Sequence, residues 1–401
     1  MTAYRAAWVL PIVSPPLRDG WVAVEDGVVA AVGGGERPDA VDLGILAVLP
    51  ALVNAHTHLE LSYLAGVVPP ADRFLDWIRA VMVARRQYPD PRDPVILAAA
   101  RAAIAAARAC GTGLVGDVSN TLVTVPLLCE ARLPARVFHE LLGFGAADAV
   151  GRVRDARAAI DALADAAGGV RVSLAPHAPY SVSPDLFAAL REDLDGHPGD
   201  VSTVHVAESP DEVAFLARGT GGWRDLLVEL GAWPETWQPP RASPVAYLSE
   251  LGFLDARILA VHAVQCAGDD LARLGRLGST VVSCPRSNRY VGVGDPPLDA
   301  FYAAGVAVAF GTDSLASARD LNLFAELAAA RRLAPRVAAG DLLRSATLSG
   351  ARALGFGDEL GSIEIGKRAS LIAVRVPDDV RDVEEYLVSG VEPDAVRWLD
   401  A

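Results

Sequence analysis

The sequence predicts an α/β protein built on a (β/α)8 (TIM) barrel. From about residue 49 onward, short apolar segments typical of strands alternate with alanine-rich segments typical of helices, which is the pattern of a parallel sheet. Eight such strands can be counted, and 401 residues suffice for a barrel with appended segments. A doubly wound open sheet shares this alternation, but no Gly-x-Gly-x-x-Gly turn follows a strand, which weakens that alternative.

Both chain ends carry short β segments that stand apart from this alternation. Near the start, Trp21–Val24 and Val28–Val32 are apolar and are separated by an acidic turn that ends in glycine. Because Ser370–Val376 has the same apolar character, we expect both ends to meet in one small β-sandwich domain. The predicted division assigns residues 1–48 and 345–401 to this small domain and residues 49–344 to the barrel.

The first barrel strand ends at His56 and His58, and seven further strands follow. These strands are predicted over Thr112–Val118, Ala135–Leu141, Val170–Pro176, Val201–Glu208, Arg257–Val264, Ser279–Cys284 and Val306–Thr312. Helices between them are predicted over Pro94–Ala109, Ala146–Ala167, Ser183–Leu194 and Asp269–Leu277. Residues 209–250 do not fit the repeat, and this long connection is typical of a pocket-shaping loop or, equally, of a surface elaboration or dimer contact.

The bulk composition favours a soluble cytoplasmic protein and excludes several classes of partner. Hydrophobic residues make up 52% and charged residues 21%, as in a globular protein with a large core. A net charge of −14 without a basic block argues against binding to nucleic acid. The four cysteines are far apart and predict reduced thiols. We expect neither a signal peptide nor a membrane span, since the best apolar run, Val95–Val115, carries Arg101 and Arg108.

The histidine pair at the end of the first barrel strand is the first chemical signal. Side chains alternate between the two faces of a strand, so His56 and His58 point to the same side while Thr57 points away. Two neutral imidazoles on one face can chelate a metal ion such as Zn²⁺. Taken alone, the spacing is also compatible with two ordinary polar residues at a strand end.

Polar residues at the other predicted strand ends support the interpretation of His56 and His58 as metal ligands. In a (β/α)8 barrel, the chemistry sits at the carboxyl ends of the strands. Six of the seven histidines fall at such positions, and only His197 lies in a Gly/Pro-rich loop. The polar residues at the later strand ends are His139 and Glu140, His177, His205 and Glu208, His262, Cys284 to Asn288, and Asp313.

With this order of residues on successive strands, the chain resembles the amidohydrolase superfamily over essentially its whole length. Four motifs resemble the aminohydrolase branch, namely Asn54–Glu60, His205–Glu208, Cys284–Asn288 and Gly311–Ser314. Together with Phe74–Ile78 and His177–Ser181, they look most like the aminodeoxyfutalosine deaminases of the alternative menaquinone pathway.

The resemblance implies one divalent metal ion held by His56, His58, His205 and Asp313. Zn²⁺ is the default, and the same ligands accept Fe²⁺, Co²⁺ or Ni²⁺. Other branches bridge two metals with a carboxylated lysine, but Lys367 is the only lysine of this chain, so a single-metal site is expected. The Pro-Cys-x-x-Cys motif of another deaminase fold is also absent.

The resemblance also implies catalytic roles for three residues. Glu208 would move a proton from the attacking water to the ring nitrogen, and Asp313 would accept a second proton for the departing ammonia. His262 would hydrogen-bond the attacking water and the tetrahedral oxygen. The alternative for Glu208 is a carboxylate that only stabilises the start of the next helix.

Substrate contacts are predicted for four residues, His177, Trp77, Arg286 and Ser287. Trp77 is a candidate for stacking on a purine, although a core role on an amphipathic helix is equally compatible with its position. Arg286, with Arg289, suits a carboxylate, and aminodeoxyfutalosine carries a benzoate; both arginines are equally compatible with a solvated surface. Cys284 is expected to be a packed thiol, because this chemistry needs no thiol nucleophile.

The sequence therefore predicts a hydrolytic deaminase of an adenine-type nucleoside, with 6-amino-6-deoxyfutalosine as the favoured substrate. The alternative is a hydrolase of another heterocycle at the same site, such as S-adenosylhomocysteine, adenosine, guanine or a triazine. A catalytically silent barrel that only binds partners would show gaps among the ligand positions, and none is found. The resemblance also implies a homodimer, with a small-molecule nucleoside as the partner.

Overall fold

The computed structural model describes residues 1–163 and 169–399. Its first five strands are β1 (Thr2–Val9), β2 (Leu17–Glu25), β3 (Val28–Gly34), β4 (Val41–Asp42) and β5 (Leu46–Pro50). The strands β1, β2 and β3 pair antiparallel in sequence order. Asp26 and Gly27 connect β2 to β3 with φ of 52° and 76°, as a two-residue type I′ hairpin turn requires. The predicted hairpin is thus confirmed.

Eight parallel strands form the central part of the chain. They are β6 (Leu52–Thr57), β7 (Thr112–Ser119), β8 (Ala135–Leu141), β9 (Val170–Pro176), β10 (Ser202–Val206), β11 (Ile258–His262), β12 (Thr280–Ser283) and β13 (Val308–Phe310). They pair in chain order as two four-stranded sheets, β6 to β9 and β10 to β13. Every residue of β6 and of β7 is buried, as expected for parallel strands covered on both faces.

Backbone contacts bring the carboxyl ends of these two sheets together. The N–H of His205 donates to the carbonyl of His177 at 2.9 Å, so β10 meets β9. The N–H of Asp313 donates to the carbonyl of His56 at 3.0 Å, so the end of β13 meets the end of β6. A Cβ atom on Gly311 would lie 2.7 Å from the carbonyl oxygen of His56, which explains the glycine at this approach.

The strands that precede the functional residues are shorter than predicted, and a local cause is visible. The prediction for β10 extended to residue 208 and that for β11 to residue 264, whereas the strands end at Val206 and His262. Ala207, His262 and Asp313 adopt φ of 51°, 71° and 58°. A regular strand does not continue past such left-handed residues, so each chain segment turns away from the sheet close to its functional side chains.

Helices connect the strands and cover them. The first five are α1 (Phe74–Arg85), α2 (Pro94–Ala109), α3 (Thr124–Glu130), α4 (Ala149–Asp161) and α5 (Pro184–Gly196). The next five are α6 (Pro210–Arg218), α7 (Gly222–Glu229), α8 (Pro244–Glu250), α9 (Asp269–Leu277) and α10 (Pro285–Tyr290). The last five are α11 (Leu298–Ala303), α12 (Leu323–Leu333), α13 (Ala339–Arg344), α14 (Gly350–Ala353) and α15 (Val383–Val388).

Several helix starts follow from capping residues in the sequence. Ser183, Ser209 and Ser243 each precede a proline at the first helical position, and each hydroxyl accepts from a backbone N–H of the first turn. The segment 209–250, predicted as a long connection, therefore contains the three helices α6, α7 and α8. The predicted helix Ala146–Ala167 corresponds to α4, and its residues 164–167 lie outside the described residues.

The C-terminal strands complete the first sheet. β14 (Leu371–Arg375) pairs antiparallel with β5, and β15 (Val396–Trp398) pairs with β14. Strands from both chain ends therefore share one seven-stranded sheet, while its arrangement as a sandwich stays a prediction. Within the described ranges, no helix has the length and apolar character needed to cross a membrane.

Candidate metal centre and active site

The first two metal-ligand candidates come from the end of β6. His56 is almost completely buried, and His58 is the next residue on the same side of the chain. Their Nε2 atoms lie 3.6 Å and 3.5 Å from Oδ1 of Asp313. The side-chain alternation predicted from the sequence therefore places both imidazoles next to one carboxylate oxygen.

His205 brings the third imidazole from β10. Its Nδ1 lies 3.0 Å from the carbonyl oxygen of His177, so Nδ1 carries the proton and Nε2 retains its lone pair. The ring nitrogens that His56, His58 and His205 offer lie within 4.8 Å of one another. Burial lowers the pKa of His58 to about 3 and the pKa of His205 well below its ordinary value, so both rings are neutral, as ligands must be.

Asp313 is held as a carboxylate by its neighbours. Its Oδ2 accepts hydrogen bonds from the hydroxyls of Ser287 at 2.6 Å and Ser317 at 2.8 Å, which leaves Oδ1 directed to the histidines. Burial alone would raise the pKa of Asp313, but interactions led by the one with the His56 imidazole outweigh it and hold that pKa well below its usual range.

The buried nitrogens of His56 show that this cluster fits a metal ion. Among the described residues, neither Nδ1 nor Nε2 of His56 has a hydrogen-bond partner, although both atoms are buried. A buried polar group without a partner costs about 1–3 kcal/mol, and a metal ion bound by one of these nitrogens would offset part of that cost. Three imidazole nitrogens and one carboxylate oxygen are the donors that a catalytic Zn²⁺ site uses.

A second buried pair, Glu208 and His262, faces the same centre. Oε1 of Glu208 lies 3.5 Å from Nε2 of His262. On its other side, His262 directs Nδ1 to Oδ1 of Asn288 at 2.9 Å, which fixes the ring orientation. Burial, together with nearby Asp313 and Glu212, raises the pKa of Glu208 well above its ordinary value. A carboxylate whose pKa is raised in this way is a stronger base than a free glutamate, which suits it to proton transfer.

The backbone at His262 and at Asp313 is held in an uncommon conformation. His262 and Asp313 both have φ in the left-handed region, at 71° and 58°, which costs about 1–3 kcal/mol for each residue. Their surroundings compensate this strain, since the Asp313 N–H is bound to the His56 carbonyl and the His262 ring to Asn288. The conformations turn both side chains toward the metal-ligand candidates.

One cavity of about 110 Å³, called the inner cavity below, reaches these groups. Its polar lining consists of His58, Arg85, Asn120, Glu140, His177, His205, Glu208, His262, Asp313 and Ser314. Its apolar lining consists of Leu61, Phe74, Trp77, Ile78, Val81 and Tyr180. A larger cavity of about 520 Å³ lies elsewhere, beside Arg108, Arg132 and Trp398, and none of the histidines lines it. Chemistry rather than volume therefore identifies the inner cavity as the candidate active site.

Comparison with known proteins agrees with this geometry. Residues 47–392 match the model of the amidohydrolase family. The chain belongs to the amidohydrolase family. It is accordingly a hydrolase that acts on carbon–nitrogen bonds, as the sequence predicted.

Individual amidohydrolases resemble the chain over most of its length. The aminodeoxyfutalosine deaminase of Deinococcus radiodurans is 35% identical over 84% of this chain and 81% of its own. A 5-methylthioadenosine/S-adenosylhomocysteine deaminase of Moorella thermoacetica is 29% identical over 97% of this chain and 90% of its own.

Two solved structures extend this comparison. A zinc-bound adenosine deaminase of Xanthomonas campestris superimposes with a TM-score of 0.82 at 29% identity, covering 98% of this chain and 90% of its own. The aminofutalosine deaminase of Helicobacter pylori, complexed with methylthio-coformycin, gives a TM-score of 0.84 at 25% identity, covering 97% and 95% of the two chains.

Two of the residues predicted to contact substrate line the inner cavity of this amidohydrolase. Trp77 donates its indole N–H to the carbonyl of Ala316 at 3.2 Å, so the ring is both fixed and exposed to the cavity. His177 pairs its Nδ1 with the hydroxyl of Ser181 at 2.6 Å, which leaves Nε2 available. Burial lowers the pKa of His177 to about 4, so its ring is neutral.

Arg286 and Ser287 do not line the inner cavity. Nη1 of Arg286 pairs with Asp320 at 2.8 Å, and its Nε lies 3.6 Å from buried Glu326. Ser287 is occupied by its hydrogen bond to Asp313. Arg289 likewise pairs with Asp295. The cause is α10, which begins immediately after Cys284 and turns the two arginines toward α12 and solvent. Cys284 is itself buried, as expected.

Sequence reasoning missed Glu212, which positions the loop after β10. Its carboxylate accepts from the backbone N–H groups of Ala207 and Glu208, both at 2.9 Å. Burial raises the pKa of Glu212 to about 7, opposed by these hydrogen bonds. The signal was present, since Ser209 and Glu212 have the three-residue spacing of a helix capping box.

Glu140 was also left without a role, although it borders the inner cavity. Its Oε2 accepts from the side-chain amide of Asn120 at 2.9 Å, and its Oε1 lies 3.5 Å from Nδ1 of His205. Neighbouring His139 turns the other way and directs Nδ1 to the carbonyl of Ser119 at 3.3 Å. The period-two alternation of β8 could have separated these two residues.

Proposed function

We propose that this amidohydrolase is a deaminase that replaces the exocyclic amine of an adenine-type nucleoside with oxygen, and that 6-amino-6-deoxyfutalosine is its preferred substrate. One observation carries this proposal. Three imidazoles and one carboxylate converge beside the buried pair of Glu208 and His262 in a single cavity. This arrangement supplies a cation site and a proton carrier side by side, as the hydrolysis of an amidine requires.

The proposal includes the architecture that supports the site. The eight parallel strands would close into a (β/α)8 barrel over residues 49–344, supported by the contacts of β9 with β10 and of β13 with β6. Residues 1–48 and 345–401 would form the composite small domain, supported by the shared seven-stranded sheet. The strand ends that carry the histidines would then be the catalytic face of the barrel.

His56, His58, His205 and Asp313 would hold one divalent metal ion, and Zn²⁺ fits this donor set. When bound, the ion supplies a water activated by a lowered pKa and charge stabilisation for the developing oxyanion. The zinc-bound adenosine deaminase of Xanthomonas campestris supports the choice of metal.

The protein residues then account for the proton movements. Glu208 takes a proton from the attacking water and delivers it to the ring nitrogen beside the carbon that bears the amine. The water oxygen forms its bond to that carbon, and the ring C=N bond becomes single. Asp313 accepts the remaining hydroxyl proton and passes it to the amine, which leaves as ammonia while the C=O bond forms.

His262 and His177 orient these reacting groups. His262, held by Asn288, places Nε2 next to Glu208, where it hydrogen-bonds the attacking water and the tetrahedral oxygen. His177 has Nε2 free to contact the purine. Trp77 provides a buried aromatic wall for the base.

A second candidate substrate class is favoured by a separate observation. The methylthioadenosine/S-adenosylhomocysteine deaminase of Moorella thermoacetica matches nearly the whole chain, although at lower identity than the Deinococcus radiodurans relative. Both classes share the adenine ring and ribose, so they differ only in the group attached to the sugar.

Ammonia release from purified, zinc-loaded enzyme tests the proposal. The panel comprises aminodeoxyfutalosine, methylthioadenosine, S-adenosylhomocysteine, adenosine and guanine. We expect the highest kcat/KM for aminodeoxyfutalosine. Activity on guanine alone would refute deamination of adenine-type nucleosides, and a preference for methylthioadenosine would refute only the preferred substrate.

A further inference from the structure

A second cavity adjoins the inner cavity and is not used by the chemistry described above. This outer cavity has a volume of about 190 Å³ and is lined by residues that include Tyr63, Tyr88 and Ile96. Leu61 and Arg85 line both cavities, so the two cavities meet at these two side chains. A substrate whose adenine lies beside the metal-ligand candidates can therefore extend past Arg85 into the outer cavity.

The apolar part of the outer cavity's lining suits a flat group, and the polar part consists of Glu60, Arg85 and Thr121. Tyr63 and Tyr88 pack edge to face, with ring centres 5.4 Å apart and an angle of 71° between the ring planes. Pro89, Pro91 and Ile96 add rigid or branched apolar surface beside these rings. Aromatic side chains in this arrangement offer both a ring face and a ring edge to a planar ligand.

Arg85 supplies positive charge with spare hydrogen-bonding capacity. Its two terminal nitrogens share a weak acceptor, Oδ1 of Asn120, at 3.4 Å and 3.3 Å, and the guanidinium also interacts with the hydroxyl of Tyr63. The nearest carboxylate oxygen, on Glu60, lies 3.9 Å away. Glu60 itself accepts short hydrogen bonds from the hydroxyls of Ser119 and Thr121, both at 2.7 Å. A guanidinium group has five N–H donors, so Arg85 can still bind a ligand carboxylate in bidentate fashion.

We infer that the outer cavity is the subsite for the group attached to the ribose, and that Arg85 selects an aromatic carboxylate there. This inference rests on the proposed function, because it assumes that the adenine ring occupies the inner cavity. The benzoate of aminodeoxyfutalosine has the required chemistry, a flat ring that ends in an anion. The methylthio group of methylthioadenosine is smaller and uncharged, so it leaves Arg85 without its ligand.

The test compares two neighbouring arginine variants on two substrates. Arg85→Met keeps a long apolar side chain but removes the guanidinium, whereas Arg86→Met removes an exposed guanidinium outside both cavities. For Arg85→Met, we expect the ratio of kcat/KM for aminodeoxyfutalosine to kcat/KM for methylthioadenosine to fall ~10- to 100-fold, mainly through KM. Arg86→Met should leave this ratio at its wild-type value, and Arg85→Lys should restore part of it.

The possible outcomes separate the inference from the proposed function. If wild-type enzyme prefers aminodeoxyfutalosine and Arg85→Met retains that preference, the role of Arg85 is refuted while the proposed function stands. If wild-type enzyme deaminates only methylthioadenosine, both the preferred substrate and the subsite are refuted. Tyr88→Leu provides a second variant, for which we expect a smaller fall in the same ratio; an unchanged ratio would refute the aromatic wall.

Discussion

The two sides of the inner cavity differ in where their side chains originate. The metal-ligand side is built from strand ends, with His56, His58 and His205 within a narrow cluster. The opposite wall is built largely from α1, which contributes Trp77 and Arg85. Strand ends are fixed by backbone pairing in the sheets, whereas the position of a helix depends on its packing. The metal-ligand side is therefore determined by the local sequence pattern of the strands, and the α1 wall by tertiary packing.

Replacing Glu208 should produce the largest effect, because it separates chemistry from metal binding. Glu208→Gln keeps the shape of the side chain but removes the proton carrier. We expect kcat to fall by about 10²- to 10⁴-fold while the zinc content per chain is unchanged. Steady-state kinetics and metal analysis on the same preparation measure both quantities.

His205→Asn is the matched control, since it should lose zinc as well as activity. Near wild-type turnover by Glu208→Gln would remove Glu208 from the mechanism. Loss of zinc from Glu208→Gln would instead show that its carboxylate belongs to the metal-ligand side.

The metal-ligand side of the inner cavity could be predicted from the sequence, whereas the wall formed by α1 could be predicted only in part. The spacing of His56 and His58 predicted their common direction, because strand alternation is a local rule. Arg286 was a candidate for contact with a substrate carboxylate or, equally, for a solvated surface position, and α10 turns it toward Asp320 and Glu326. Arg85 carried no sequence signal, since its place on the cavity wall depends on how α1 packs over the strand ends.

Asp117 connects the two sides and gives a pH-dependent test. Its carboxylate accepts from the N–H of Leu59 at 2.8 Å and from the hydroxyl of Thr124 at 2.6 Å, and it anchors the 3₁₀ helix Leu59–Leu64 behind the cavity wall. Burial raises the pKa of Asp117 to about 7. Because the folded-state pKa exceeds the unfolded value near 4, the stabilising contribution of the protonated form is complete below about pH 4 and is lost as the pH rises to about 7.

We therefore expect Asp117→Asn to flatten the pH dependence of stability. Between pH 4 and pH 8, the wild-type free energy of unfolding should fall relative to that of the variant by up to about 4 kcal/mol. Urea unfolding of both proteins at matched zinc content measures the difference. The exposed acid Asp155, replaced by Asn, should not alter the profile. Parallel profiles for wild type and Asp117→Asn would show that Asp117 is ionised at both pH values.

Gly311 tests how closely the last parallel strand must approach the first. A Cβ atom at this position would lie 2.7 Å from the His56 carbonyl oxygen and 2.8 Å from its Cβ. Gly311→Ala should therefore displace His56, lower the free energy of unfolding by about 1–3 kcal/mol and weaken zinc binding. Gly196→Ala, where nothing lies within 4 Å, is the matched control and should change neither quantity. Normal zinc affinity in Gly311→Ala would show that the metal-ligand side tolerates a shift of its backbone.

Replacement of Arg286 should have the smallest effect on catalysis, in contrast to replacement of Arg85. Its guanidinium lies next to Glu326, a fully buried carboxyl group whose pKa is raised by burial to about 8. Arg286→Met removes the cation that faces this group, so we expect a lower melting temperature. The ratio of kcat/KM for aminodeoxyfutalosine to kcat/KM for methylthioadenosine should nevertheless stay within about threefold of wild type, because Arg286 lies outside both cavities. A fall in this ratio comparable to that of Arg85→Met would place the substrate carboxylate beside α10, and the outer cavity would then have to serve another purpose.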